Sequence, residues 1–252
     1  MSLAERIIHH HHRAIPQLNA LSFSAPVTHV YNPLDYARQS WEQYLRTYGA
    51  SRKEVIFLGM NPGPWGMAQT GIPFGEVQTV RSWLALSAPI GRPEREHPNR
   101  PVLGLQCSRS EVSGRRLWGL FAEEFGTAER FFQRHLVINY CPLVFMAETG
   151  RNITPDKLPV VERTPLFKIC DGLLRATIDA YEPGIVVGVG AFARSRLAHV
   201  LNSGGSRPSP RIVQILHPSP ASPAANRGWA AQARGRLIET GVWQDGSSRP
   251  GD

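Results

Sequence analysis

Apolar residues along the chain fall into two alternating patterns: short continuous runs, and longer stretches with helical spacing. The runs are Val55-Ile56-Phe57-Leu58, His135-Leu136-Val137-Ile138-Asn139, Ile185-Val186-Val187-Gly188-Val189 and Ile212-Val213-Gln214-Ile215-Leu216. Each is short and lacks polar alternation, the pattern of a strand covered on both faces. Between them, apolar residues recur three and four apart. Leu34, Ala37, Trp41, Tyr44, Leu45 and Tyr48 predict one helix, opened by Asn32-Pro33 and ended by Gly49. Val77, Val80 and Leu84 predict a second; Leu117, Leu120, Phe121 and Phe125 a third, stopped at Gly126. Leu166, Ile169, Cys170, Leu173, Leu174 and Ile178 predict a fourth, residues 191–202 a fifth, and Trp229, Ala233 and Leu237 a last one. Strands alternating with helices predict an α/β fold with a parallel sheet and helices on both faces. No repeat, heptad or composition break divides the chain, so a single domain over 1–252 is expected. Residues 1–19 and 244–252 are expected to be peripheral or flexible, with 13–30 a strap across the surface. A Gly/Ser/Pro turn is expected before the last strand.

One stretch departs from both patterns. Gly59-Met60-Asn61-Pro62-Gly63-Pro64-Trp65-Gly66-Met67-Ala68-Gln69-Thr70-Gly71-Ile72-Pro73-Phe74-Gly75 follows the first strand and carries no formal charge. Its prolines stiffen it and its glycines permit positive φ. Apolar Met60, Trp65, Met67 and Phe74 surround a lone amide, Asn61, a surface that suits a flat, neutral heterocycle. The plain alternative is a loop that only turns the chain. Gly188-Val189-Gly190-Ala191-Phe192-Ala193 has the spacing of a dinucleotide-binding turn. Basic residues follow where an acidic ribose ligand would be sought, so it reads as a tight strand-to-helix turn.

Charge and cysteine content narrow the class. The 252 residues hold 28 Lys+Arg against 20 Asp+Glu, a net charge of +8, and the lysines are only Lys53, Lys157 and Lys168. A polyanionic partner, most simply nucleic acid, accounts for that surplus; an arginine-rich solvated surface is the alternative. The 3 cysteines are widely spaced and imply neither a disulfide framework nor a metal site. Four adjacent histidines, His9 to His12, point around a helix rather than along one face. No metal and no cofactor are expected. No apolar run approaches the roughly 20 residues of a membrane span, and a soluble, intracellular monomer is expected.

Ligands of open α/β sheets bind beyond the carboxyl ends of the strands. Three polar side chains fall at such ends: Asn61, Asn139 and His217. No carboxylate pair, nucleophile motif or metal ligand set accompanies them. Asn61 can orient a water but not deprotonate it. Asn139 can donate to and accept from a base edge, Phe74 can stack on the ring, and His217 can donate to an oxygen gaining negative charge, an effect worth ~3–4 kcal/mol. Cleavage of the bond between deoxyribose and a uracil-like base fits this set. A glycosylase for deaminated purines and a non-catalytic damage-binding module remain open on these residues.

The stretch 59–76 closely resembles the first motif of the single-strand-selective monofunctional uracil-DNA glycosylases, and His217-Pro218-Ser219-Pro220 with Asn226-Arg227-Gly228-Trp229 resembles their last. Asn139-Tyr140-Cys141-Pro142-Leu143, Ser110-Glu111-Val112-Ser113-Gly114, Tyr31-Asn32-Pro33 and Gly150-Arg151-Asn152-Ile153-Thr154-Pro155 are similar to family segments as well. The resemblance implies a three-layer α/β/α sandwich with a central four-stranded parallel sheet. It implies base flipping and removal of uracil and 5-modified uracils such as 5-hydroxymethyluracil from single- and double-stranded DNA, in the bacterial cytoplasm or the eukaryotic nucleus. By position, Asn61 would hold the attacking water, Phe74 would stack, Asn139 would read the base, and His217 would stabilise the departing anion. Gly63 would leave room for a 5-substituent beside Met60 and Met67. Arg151, Asn152, Ser219, Asn226 and Arg227 would meet DNA, and the element Pro220-Ala221-Ser222-Pro223-Ala224-Ala225 would enter the duplex. Ala221 stands where vertebrate members often carry arginine. No lysine lies in a pocket motif, consistent with a monofunctional enzyme.

Overall fold

The computed structural model describes residues 1–202 and 209–244. The expected Gly/Ser/Pro turn and nearly all of the expected flexible tail lie outside the described residues. In chain order the elements begin with α1 (Leu3–Asn19), β1 (His29–Tyr31), α2 (Pro33–Tyr36), α3 (Arg38–Tyr48) and β2 (Val55–Gly59). Then come α4 (Met67–Thr70), α5 (Val77–Ser82), α6 (Val112–Phe125), α7 (Ala128–Arg134), β3 (His135–Asn139), β4 (Val144–Met146) and β5 (Asn152–Ile153). The chain closes with α8 (Val160–Tyr181), β6 (Ile185–Val189), α9 (Ala191–Asn202), β7 (Arg211–Ile215) and α10 (Trp229–Glu239).

Strands β2, β3, β6 and β7 form one parallel sheet in the order β3-β2-β6-β7. The chain leaves β2 toward β3 and later crosses back to β6 and on to β7. Right-handed crossovers taken in opposite directions place their helices on opposite faces. This puts α6 and α7 on one face and α8 and α9 on the other, the three layers expected. In agreement, α8 packs on α9, while α10 returns to pack against α6. The central strands are buried along almost their whole length, which is why their sequences lack polar alternation. Register sets Gly59 beside Asn139, so the loops after β2 and β3 leave the sheet together.

Four features differ from the sequence expectation. The helix expected from Pro33 is broken at Ala37, whose φ of −104° and ψ of 25° leave the helical region. Asn32 makes no side-chain cap there; its amide donates to Asn19 at 2.8 Å. The amino-terminal segment is no peripheral strap up to Asn19. It is a helix whose Ala4, Ile7, Ile8, Ala14, Ile15 and Leu18 are buried, packed on α8. The histidine run masks that stripe, yet His11 belongs to it, 5.2 Å from the Trp41 ring. A second, antiparallel sheet, β1-β4-β5, joins residues far apart in sequence. Its strands of 3, 3 and 2 residues are too short to show a period. The glycine-rich stretch contains a turn of helix, α4, and α7 is a further short helix that apolar spacing alone did not mark.

Candidate active site

The carboxyl ends of β2, β3 and β7 open onto one cavity of about 380 Å³. Met60, Asn61, Gly63, Met67 and Phe74 reach it from the glycine-rich stretch, Asn139 from the end of β3, and His217 from just beyond β7. These are all seven residues that the sequence nominated for chemistry and base binding. Asn152, Ser219 and Pro220 also line it. Asn152 arrives on β5, so the unforeseen second sheet contributes a wall.

Glycines set how closely these groups approach. A Cβ on Gly59 would collide with Asn139 Oδ1 and with the Phe74 ring, so only glycine lets both reach the cavity. Phe74 itself has a φ of 54°, the left-handed region that an aromatic residue rarely adopts. Its carbonyl presses against Gly114, where a Cβ would also collide. Gly190, at φ 95°, ends β6 with a Cβ position 3.1 Å from His217 Cβ. The Gly-x-Gly-x-x-Ala turn thus acts as a support for the histidine.

The polar groups are directed by hydrogen bonds. Asn61 Nδ2 donates to the Leu143 carbonyl at 3.3 Å, which leaves Oδ1 as an acceptor. Asn139 Nδ2 contacts Met67 Sδ at 3.4 Å, a weak acceptor. Its Oδ1 is buried with no partner among the described residues, in a protein interior where such acceptors are ordinarily satisfied. The backbone N–H of Ser219 donates to His217 Nδ1 at 3.1 Å. A neutral imidazole that accepts at Nδ1 carries its proton on Nε2. Burial lowers the His217 pKa to about 4, so the ring is neutral near pH 7. The Phe74 and His217 rings lie 6.1 Å apart, tilted by 40°.

The sequence showed no carboxylate pair and gave Glu111, within a family segment, no place in the site; the structure puts it in the cavity wall. Glu111 lines the cavity and caps α6, accepting from the N–H of Ser113 at 3.2 Å and from that of Gly114. Burial raises its pKa against the pull of those two donors, and Glu76 adds to the rise. A Cβ on Gly63 would stand 3.8 Å from Glu111 Cγ, so the space beside Gly63 faces this side chain. Glu111 followed by Ser-Gly ahead of a helix was a legible capping signal, but nothing local tied it to Gly63.

The remaining nominated residues lie outside the cavity wall. Arg151, Ala221, Asn226 and Arg227 are exposed and Ser222 is partly so. The segment 217–227 is braced from within. Asn226 Nδ2 donates to the Pro220 carbonyl at 2.9 Å, and Arg116 donates to Pro218 O at 3.1 Å and Asn226 Oδ1 at 2.9 Å. The Asn226 amide is therefore committed to shaping this loop. Among the described residues, no three His, Cys, Asp or Glu side chains gather as a metal site, and no helix is long and apolar enough to cross a membrane.

Comparison with known proteins places this arrangement in a family. The profile of the Uracil DNA glycosylase superfamily matches residues 46–235. A mouse protein named single-strand selective monofunctional uracil DNA glycosylase is 47% identical over 253 residues, covering 99% of this chain and 90% of its own. A bovine protein of the same name is 48% identical over 241 residues, covering 96% and 88%. The crystal structure of wild-type SMUG2 from Pedobacter heparinus aligns with a TM-score of 0.67 at 18% identity, covering 96% of this chain and 100% of that one; it shares the fold.

Proposed function

This chain belongs to the uracil DNA glycosylase superfamily, in its single-strand selective monofunctional branch, and on that premise we propose that it hydrolyses uracil from DNA and leaves an abasic site. The observation that supports this most is the meeting of Asn61, Phe74, Asn139 and His217 in one cavity. An extruded pyrimidine would lie against Phe74. The unpartnered Oδ1 of Asn139 would accept the ring N–H, and its Nδ2 would donate to the adjacent carbonyl.

As the glycosidic bond lengthens, its electron pair moves into the base and charge gathers on the ring oxygens. His217 Nε2–H would donate to the oxygen nearest the bond. A neutral imidazole suits this role, because a cationic one would need a counter-charge that the cavity wall does not offer beyond Glu111. Asn61 Oδ1 would accept from a water aimed at the sugar carbon. That water supplies the new C–O bond, and its surplus proton leaves to solvent or to the departing base. No lysine lines the cavity, so nothing there would form a Schiff base with the abasic product.

Gly63 leaves space beside the base, and we extend the substrate range to 5-modified uracils such as 5-hydroxymethyluracil. Arg151, Asn152, Arg227 and the 219–222 segment would meet DNA around the mouth. One chain supplies every group named, so a monomer suffices, working wherever the cell keeps its DNA.

The test is a labelled oligonucleotide bearing uracil, 5-hydroxymethyluracil or hypoxanthine, single- or double-stranded, treated with alkali after incubation. Breaks at the two pyrimidines and none at hypoxanthine are expected. Intact uracil strands beside an active control enzyme would overturn the proposal. Tight binding without release would instead mark a damage-binding module, and faster release of hypoxanthine would mark a purine specialist.

A further inference from the structure

Some arginines of this chain are paired with carboxylates: Arg46 with Glu5 and Glu42, Arg134 with Glu54, Arg196 with Asp171, Arg234 with Glu124 and Arg236 with Glu239. Arg100 and Arg109 face no carboxylate among the described residues. Both guanidiniums instead lie over one indole, that of Trp65, at 5.0 Å and 5.5 Å from the ring centroid. Arg100 Nε is buried without a partner, and its Nη1 donates only to the neighbouring Asn99 carbonyl.

This group sits on the rim of the cavity already described. Trp65 lies between Pro64 and Gly66, both in the wall, and Arg109 precedes the wall residue Glu111 by two. The Arg100 side chain packs on Gly150, 3.3 Å from where a Cβ would stand, and the chain continues through Arg151 to the wall residue Asn152. Two like charges held against one ring repel each other. An indole face offsets this only in part, and a phosphodiester between them would attract both. Guanidiniums match phosphate oxygens by fork geometry, and an aromatic ledge beside a cationic groove is the usual device for holding a single strand.

We propose that Trp65, Arg100 and Arg109 form a phosphodiester-binding ledge that holds the DNA strand next to the nucleotide entering the cavity. The inference rests on the reading of this cavity as one that acts on DNA. None of these three residues was nominated for DNA contact by the sequence motifs. Arg100 and Arg109 supply the charge, and Trp65 keeps their planes turned toward the strand.

The experiment measures binding of the full chain to a single-stranded oligonucleotide carrying uncleavable 2′-fluorinated deoxyuridine, by fluorescence anisotropy across a salt series. The Arg100→Gln/Arg109→Gln variant is expected to bind roughly tenfold more weakly at low salt and to lower the slope of log K against log[salt] by about 0.7 per arginine. Its uracil release at subsaturating DNA is expected to fall in step with its binding. Arg52→Gln/Arg134→Gln makes the same change of net charge at the other end of the sheet and is expected to leave the slope alone. Trp65→Ala is expected to weaken binding, and Trp65→Phe to restore it. An unchanged slope in the Arg100/Arg109 variant, or an equal fall in the Arg52/Arg134 control, would overturn the ledge while leaving uracil release by the parent intact. A parent that releases no uracil, with the slope still falling in the Arg100/Arg109 variant, would overturn the glycosylase reading and keep the ledge.

Discussion

His135 and His217 stand at opposite ends of the same sheet and share one electrostatic property: burial lowers the pKa of each to about 4. Their hydrogen bonds separate them. His135 opens β3, where Nδ1 donates to the Phe131 carbonyl at 2.8 Å and Nε2 accepts from the Trp243 indole at 3.3 Å. Its ring is stacked on Phe131 at 4.8 Å, so every edge and face is used inside the protein. His217 spends Nδ1 on Ser219 and keeps Nε2–H for the cavity. The two rings are opposite tautomers, and only one has a donor to offer. The surroundings follow suit. Near His135, Lys53 is buried and donates to Phe132 O, while Arg134 pairs with Glu54 and Arg52 with Glu182. Near His217, by contrast, the buried Oδ1 of Asn139 has no hydrogen-bond partner among the described residues. A depressed histidine pKa thus reports burial alone; the uncommitted atom is what distinguishes chemistry from structure.

Substitutions at the two rings test this contrast most directly. His217→Ala is expected to slow single-turnover uracil release by roughly 10²–10³-fold with little change in melting temperature. A normal rate would remove the anion-stabilising role. His135→Ala is expected to do the reverse. It empties a packed site and orphans the Trp243 donor, costing roughly 2–4 kcal/mol of stability, readable as a lower denaturation midpoint, while the folded fraction keeps its rate. A selective loss of rate in that variant would break the distinction.

Acid provides a smaller effect on the same axis. His11, His135 and His217 each fall from an ordinary 6.5 to about 4 in the folded protein. As pH drops, the unfolded chain takes up these protons first. The stability contributed by neutral burial is therefore complete above about pH 6.5 and is lost as pH falls through 4. Melting temperatures recorded from about pH 7 down to about 4.5 are expected to decline steadily. Uracil release by protein that remains folded is expected to show no histidine titration between about pH 6 and about 8. A step in rate near pH 6.5 would mean that His217 titrates as an ordinary, solvated ring.

Much of this protein was legible residue by residue. The four strands of the parallel sheet lie within one residue of their apolar runs at each end, and α9 covers the expected 191–202. Burial on both faces leaves a continuous apolar run that no loop imitates. Asn61, Phe74, Asn139 and His217 were legible because strand ends in a parallel sheet must share one rim. What escaped notice has no local signature. The β1-β4-β5 sheet is built from two- and three-residue strands that pair only through distant chain. Glu111 caps its own helix like any other carboxylate and becomes a cavity residue only because α6 passes Gly63. The histidine run was read on a helix, but the buried face of α1 went unread, and one of the four histidines turns inward onto Trp41.

The sequence by itself determined the four strands of the parallel sheet and the main helices between them, the uncharged glycine-rich wall and the identity of the groups at the strand ends, because periodicity and backbone freedom are properties of short segments. Only the tertiary structure decided which nitrogen of His217 faces the cavity, which Asn139 atom stays unpaired and which arginines remain without a carboxylate. The first depends on how the turn after β7 seats the Ser219 N–H on Nδ1; the others depend on Gly59 and Trp65 meeting partners that the chain brings together from far away.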